Sequence, residues 1–260
     1  MTPWRTAIID ADETHIRVRG YDVTDLMRQA GFVDTVFLLH RGRLATAAEK
    51  RVLDAVLVAV ADHGPGAPSC AAARLAASGN RQSISAAIAA GVLAIGDEHG
   101  GAGEACMTLI AASLAGAAAD NGADIDAAAA RAFAQARASR TRIPGLGHRV
   151  HTVDPRVSVL FELAADAGVA GAGIRFVRAL EAAATAAGKP LPINIDGALA
   201  AVLHDMGFPP TAGKFIFIIG RVAGLTAEVA EELTREKAMR IRIPVEYDGE
   251  APRALPKTKD

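Results

Sequence analysis

The spacing of apolar positions is helical along most of this chain, and the departures fall near its two ends. "RTAIIDADETHIRVRGYDV" alternates apolar and polar residues around an Asp-Ala-Asp-Glu break, which predicts a short N-terminal β-hairpin. "VTDLMRQAGFVDTVFLLHRGRLA" then turns to helical spacing, with Thr24 as its candidate cap and a break near Gly31. In "TAAEKRVLDAVLVAVADHG", Thr46 is followed three residues later by Glu49. That capping-box pair predicts the start of a long helix that stops at Gly64-Pro65.

Helical patterns continue through "SCAAARLAAS" and "SISAAIAAGVLAIGDEHGG", then over 104–120, 124–140, 154–168 and 171–187, with Gly, Asn and Pro at the joints. The two prolines of "GKPLPINIDG" predict an extended segment, with Asp196 at its exit and a helix over "ALAAVLHDMG". "TAGKFIFIIGRVAGLTAEVAEELTREKAM" reads as a long helical region that becomes amphipathic after Gly224. "RIRIPVEYDGEAPRALPKTKD" reads as a Pro-rich exit and a frayed tail. No fixed-period repeat and no βαβ rhythm is present, so the fold class is all-α.

Composition sharpens this. Hydrophobic residues make up 51% of the chain but aromatics only 4%, so the core is built from Ala, Val, Leu and Ile, which favours closely packed helices. A formal net charge of −1 provides no broad surface for nucleic acid. Cys70 and Cys106 are too few for a disulfide framework and read as buried thiols of a reduced, cytoplasmic protein. No apolar run approaches the roughly 20 residues of a membrane span, and no secretory signal is evident, so no membrane partner is expected.

Against this neutral background, "IPGLGHRVHTVDPR" concentrates His148, Arg149, His151 and Arg156 beside a Pro-Gly-x-Gly turn. Three other places stand out. "ADHGPG" sets His63 at a helix end. "GDEHGGAGEA" sets His99 between acidic residues and glycines, where the helix that follows can aim its N-terminus at the imidazole. "INIDGA" sets Asp196 where desolvation would raise its pKa, although it could equally cap the next helix. Arg221 of "GRVAG" either lies buried or snorkels out of an apolar helix. Several leads fail. "GFPPTAGKF" has the wrong spacing for a phosphate loop, and "GGAGEA" lacks the strand and third glycine of a dinucleotide site. His148 and His151 have no further metal ligands nearby, and there is no G-x-S-x-G elbow.

Taken in order, "IRVRGYDVTDLM", "ADHGPG", "IGDEHGGAGEA", "PGLGHRVHTVDPR", "NIDGALAAVLHDMGF", "IIGRVAGLTAEVAEE" and "RIPVEYDG" resemble the citrate synthase superfamily. The likeness is strongest to its short citryl-CoA lyase form, such as the module of ATP-citrate lyase. The chain omits the long stretch that full-length synthases carry between "FLLHRGRLATAAE" and "ADHGPG". The resemblance implies a two-domain helical dimer, with 1–100 and 206–260 as the large domain and 101–205 as the small one. It implies a coenzyme A thioester as substrate, citryl-CoA or acetyl-CoA plus oxaloacetate, with no permanently bound cofactor.

It implies roles as well. Asp196 is the base at the acetyl methyl group, His99 the donor to the thioester oxygen, and His148 the proton carrier at the oxaloacetate carbonyl. His63, Arg156 and Arg221 hold substrate carboxylates, and Arg242 reaches in from the other subunit. Gly145, Leu146 and Gly147 line the adenine, and Lys189 touches coenzyme A. Forked guanidinium groups suit a polycarboxylate, because they stay charged and bind each carboxylate through two hydrogen bonds. His99 is a synthase-like trait, and Arg242-Ile243-Pro244 lacks one arginine of many bacterial synthases, which leaves room for a related 3-hydroxyacyl-CoA. Three alternatives stay open: citrate or 2-methylcitrate synthase, a non-catalytic acyl-CoA or citrate-binding subunit, and a nucleotide-dependent oxidoreductase.

Overall fold

A computed structural model describes residues 2–116, 121–147 and 154–255. The chain begins with an antiparallel sheet in the order β1 (Ile9–Ala11), β2 (Ile16–Val18), β3 (Tyr21–Asp22). Its first turn closes on Asp12, whose Oδ1 accepts the N–H groups of Thr14 and His15, each at 2.8 Å. The expected hairpin is therefore present, extended by a third strand. Helices follow: α1 (Val23–Gln29), α2 (Phe32–Arg41), α3 (Ala47–Val60), α4 (Pro68–Gly79), α5 (Ile84–Leu93) and α6 (Ala102–Leu114). The remainder are α7 (Gly122–Ser139), α8 (Pro155–Asp166), α9 (Ala172–Ala186), α10 (Ile195–Asp205) and α11 (Ala212–Arg235).

The caps explain several boundaries. Asp22, not Thr24, caps α1, and Thr24 is the residue whose N–H is capped, at 2.9 Å. The Thr46–Glu49 box is formed in both directions, at 3.2 and 2.9 Å, but α3 ends at Val60, before Gly64-Pro65. Asn194 caps α10, so that helix starts three residues earlier than its apolar spacing indicates. Asp196 accordingly sits inside a first helical turn, not at the exit of an extended segment.

Helix α10 is the centre of the larger core. Gly197 through Leu203 are all buried, and α3, α6, α8, α9 and α11 pack around it. A smaller core joins α4 and α5 to the C-terminal half of α11 through Ala73, Ala77, Ala87, Leu225 and Val229. Beside it lies a buried ion cluster in which Arg74 pairs with Glu228 and Glu232. Arg240 reaches the same Glu232, with Nε 3.0 Å from Oε1, and so fastens the start of the C-terminal tail to α11. Removing one partner of such a cluster strands a buried charge at a cost of about 3–5 kcal/mol.

Candidate active site

Two helix N-termini and one buried arginine build the site. The first N-terminus belongs to α10. Asn194 Oδ1 accepts the N–H groups of Asp196 and Gly197 at 3.0 and 3.1 Å, while its Nδ2 donates to the Gly147 carbonyl at 2.7 Å. The N–H of Asn194 donates to Gly145 O at 3.0 Å, and that of Gly147 to Pro192 O at 2.7 Å. The loop ending at Gly147 is thus stitched onto the start of α10. The fit is tight: a Cβ on Gly197 would lie 2.3 Å from Gly145 O, and Gly145 itself has φ +82°. Because Asn194 does the capping, the Asp196 carboxylate makes no hydrogen bond or ion pair among the described residues. Desolvation pushes its pKa upward, against the opposing fields of Arg156 and Arg221.

The second N-terminus belongs to α4. Ser69 donates its backbone N–H to His99 Nε2 at 3.3 Å, and its Oγ lies 2.9 Å from the same nitrogen. Nε2 therefore acts as an acceptor, which assigns the proton of the neutral ring to Nδ1. Desolvation lowers the pKa of His99, and Arg221 and His63 lower it further, so the ring stays neutral. The helix that faces His99 is α4, thirty residues earlier in sequence, not the following helix α6.

Arg221 joins the two halves. It is buried, with no snorkelling to solvent: Nε donates to Val60 O at 3.0 Å and Nη1 to Ser69 Oγ at 3.1 Å. The implied relay runs from Arg221 through the Ser69 hydroxyl to His99. The Phe217 ring walls this group, 6.0 Å from the His99 ring and 5.0 Å from the Arg221 guanidinium carbon. Arg221 perturbs His99 and Asp196 alike, which places both in one electrostatic site.

Arg156 is close enough to act on Asp196, but its fork is engaged by Asp154, with Nε and Nη2 at 2.9 and 2.7 Å from the carboxylate, and Nη1 donates to Ala59 O. His63 is exposed and within electrostatic reach of His99. Gly145, Leu146 and Gly147 form the loop docked on α10. Lys189 is exposed, two residues before Leu191, which lies beside Gly147. Arg242 stands exposed in the tail, outside this cluster. His148 lies outside the described residues. Cys70 and Cys106 are fully buried; burial raises both thiols, Cys106 to about 12.

Sequence reasoning did not single out Ser69, Asn194 or Phe217. Pro68 was a usable signal, since proline at the first helical position leaves the next N–H groups pointing outward. Two surface cavities of about 500 and 490 Å³ are lined by none of these groups. Among the described residues, the atoms of Asp62, Cys70 and Glu228 converge within 4.8 Å, but Arg74 already neutralises Glu228.

The chain belongs to the citrate synthase family: residues 45–242 match the family described as citrate synthase, C-terminal domain. The structure of citryl-CoA lyase from Hydrogenobacter thermophilus is similar over 97% of each chain, with 37% identity and a TM-score of 0.89. The 2-methylcitrate synthase of Shewanella oneidensis is 33% identical over 226 residues, covering 84% of this chain and 55% of that protein. The glyoxysomal citrate synthase of Cucurbita maxima is 31% identical over 208 residues, covering 77% and 38% respectively. The chain thus spans only about half, or less, of these two curated relatives.

Proposed function

We propose that the protein is a carbon–carbon lyase that cleaves citryl-CoA, or a related 3-hydroxyacyl-CoA, to acetyl-CoA and oxaloacetate. The observation that carries this reading is that a desolvated Asp196, its pKa pushed upward, and a neutral His99 both lie in the field of Arg221. Cleavage breaks the bond between the carbinol carbon and the thioester methylene. A base takes the hydroxyl proton, by resemblance His148, and the carbonyl of oxaloacetate forms. The bonding pair passes to the thioester as an enolate, whose oxygen receives a hydrogen bond from the Nδ1–H of His99. Asp196, as the acid, then delivers its proton to the enolate carbon and completes acetyl-CoA.

Arg221 is the anchor for a substrate carboxylate, since its Nη2 has no partner among the described residues. Arg156 serves the same end once it exchanges Asp154 for substrate; until then its charge tempers Asp196. Closure of 101–205 against the rest of the chain would exclude water from the enolate. End-to-end similarity to a citryl-CoA lyase favours cleavage, whereas the two curated relatives named above are synthases, which form the bond that a lyase breaks.

The test is to supply citryl-CoA to the pure protein and follow oxaloacetate release. Citrate formation from acetyl-CoA and oxaloacetate without cleavage would move the assignment to synthase. Tight binding of these ligands with turnover in neither direction would make the chain a binding subunit.

A further inference from the structure

The tight turn between β2 and β3 is made by Arg19 and Gly20, with φ of +50° and +87°. Positive φ at both central positions suits Asn-Gly or Gly-Gly, whereas an arginine is held there in a conformation that a Cβ disfavours. Such an outlier points to a role for the side chain. The guanidinium of Arg19 is fixed in place: Nη1 donates to Ala7 O at 3.2 Å and Nη2 to Leu39 O at 2.8 Å. Both acceptors are carbonyls. Among the described residues Arg19 makes no ion pair, and its buried Nε has no partner. Arg41, at the end of α2, likewise has no acid partner among them and a buried, unpartnered Nε; its guanidinium carbon lies 5.5 Å from the centre of the Phe208 ring. Two half-buried positive charges without a counter-charge thus lie against the connection from α10 to α11.

Arg19 lines a surface cavity of about 490 Å³ whose walls include Ile8, Leu39, His40, Thr211 and Phe215. That volume is in the range of small-ligand pockets. No carboxylate lines it. Burial and the charge of Arg19 push the pKa of His40 down, so the imidazole is neutral and presents a ring, not a second cation. Its ring lies 6.0 Å from that of Phe215, tilted by 33°, and the two make a shallow aromatic wall. Thr211 makes no capping bond to α11, which leaves its hydroxyl at the cavity without a partner in the helix. The cavity therefore offers one fixed charge with N–H donors to spare, one hydroxyl, and otherwise mostly apolar and aromatic surface. That set recognises a single anionic group on a flat apolar body.

Phe217, two residues beyond Phe215, walls the Arg221–His99 group. Two residues turn a helix by about 200°, so α11 itself stands between the cavity and that group. We infer that the cavity is a second ligand site, taking a small monocarboxylate with a flat apolar body. The carboxylate sits on Arg19 and Thr211, and the ring lies against His40 and Phe215. This site goes beyond the catalytic reading and does not depend on it.

Fluorescence titration of the full chain with 2-naphthoate tests the assignment, with 2-naphthalenemethanol as the neutral analogue. The acid should bind once per chain, at least about tenfold more tightly than the alcohol, the scale of a hydrogen bond to a charged group. Arg19→Asn places a residue that the turn prefers, so the fold should hold. It should remove the preference for the acid and leave binding of the alcohol as it was. Phe215→Ala, at a position already 48% exposed, should weaken both ligands. No saturable binding at millimolar concentration, equal affinity for acid and alcohol, or wild-type affinity in either variant would overturn the proposal. Loss of the alcohol together with the acid in Arg19→Asn would make Arg19 a brace of the sheet and overturn it as well.

Discussion

At Asp196 burial favours the neutral acid while Arg156 and Arg221 favour the carboxylate, and burial is the larger influence. A carboxyl whose folded pKa lies above its unfolded value binds its proton more tightly when folded. The folded state therefore gains stability as pH falls towards the unfolded pKa, and at neutral pH the buried charge is a liability. Asp196→Asn removes that charge and keeps the shape. It should raise Tm at neutral pH, with the gain shrinking as acid protonates the native carboxyl. Activity should fall by at least about 100-fold, the scale of a lost acid–base group. Thermal melts across pH, alongside citryl-CoA cleavage, read both effects. A variant that is less stable at neutral pH would show that the arginine fields outweigh burial. The direction of this shift was legible in the sequence, because an aspartate after an apolar run invites desolvation. The hydrogen-bond partner of His99 was not, because contact with Ser69 of α4 is a tertiary event that local order does not record.

The arrangement of whole elements rests on backbone contact where α10 meets the loop before it. Gly145 and Gly197 are so close that a methyl on Gly197 would meet backbone, which has no rotamer with which to yield. Gly197→Ala should therefore push the loop away from Asn194 and break its hydrogen bonds to Gly145 and Gly147. Overpacking of this kind costs about 1–3 kcal/mol. The expected outcome is a lower urea midpoint together with loss of most activity. Unchanged activity would mean that the loop need not touch α10 for the reaction. Helix placement was readable where a capping box announced it, as at Thr46 and Glu49. It failed at α10. Asn194 was an available cap signal, but the two prolines ahead of it pointed to extended chain.

For the molecule as a whole, helical spacing identifies the fold class but not which apolar faces end up covered. Helix α5, "ISAAIAAGVL", is apolar on every side, yet only Ala87 and Gly91 are buried within the subunit. Ile84 is 56% exposed and Leu93 84%, and Leu75 of the neighbouring α4 adds to the same bare region. A helix without a polar face belongs in an interior. The tail begins beside α4, since Met239 N–H donates to Ser78 O at 3.0 Å. Association of two copies through α4 and α5 would supply the missing cover. Leu93→Glu should then weaken association at least tenfold in sedimentation experiments and remove the concentration dependence of Tm. Self-association left unchanged by this substitution would return α5 to the solvent surface.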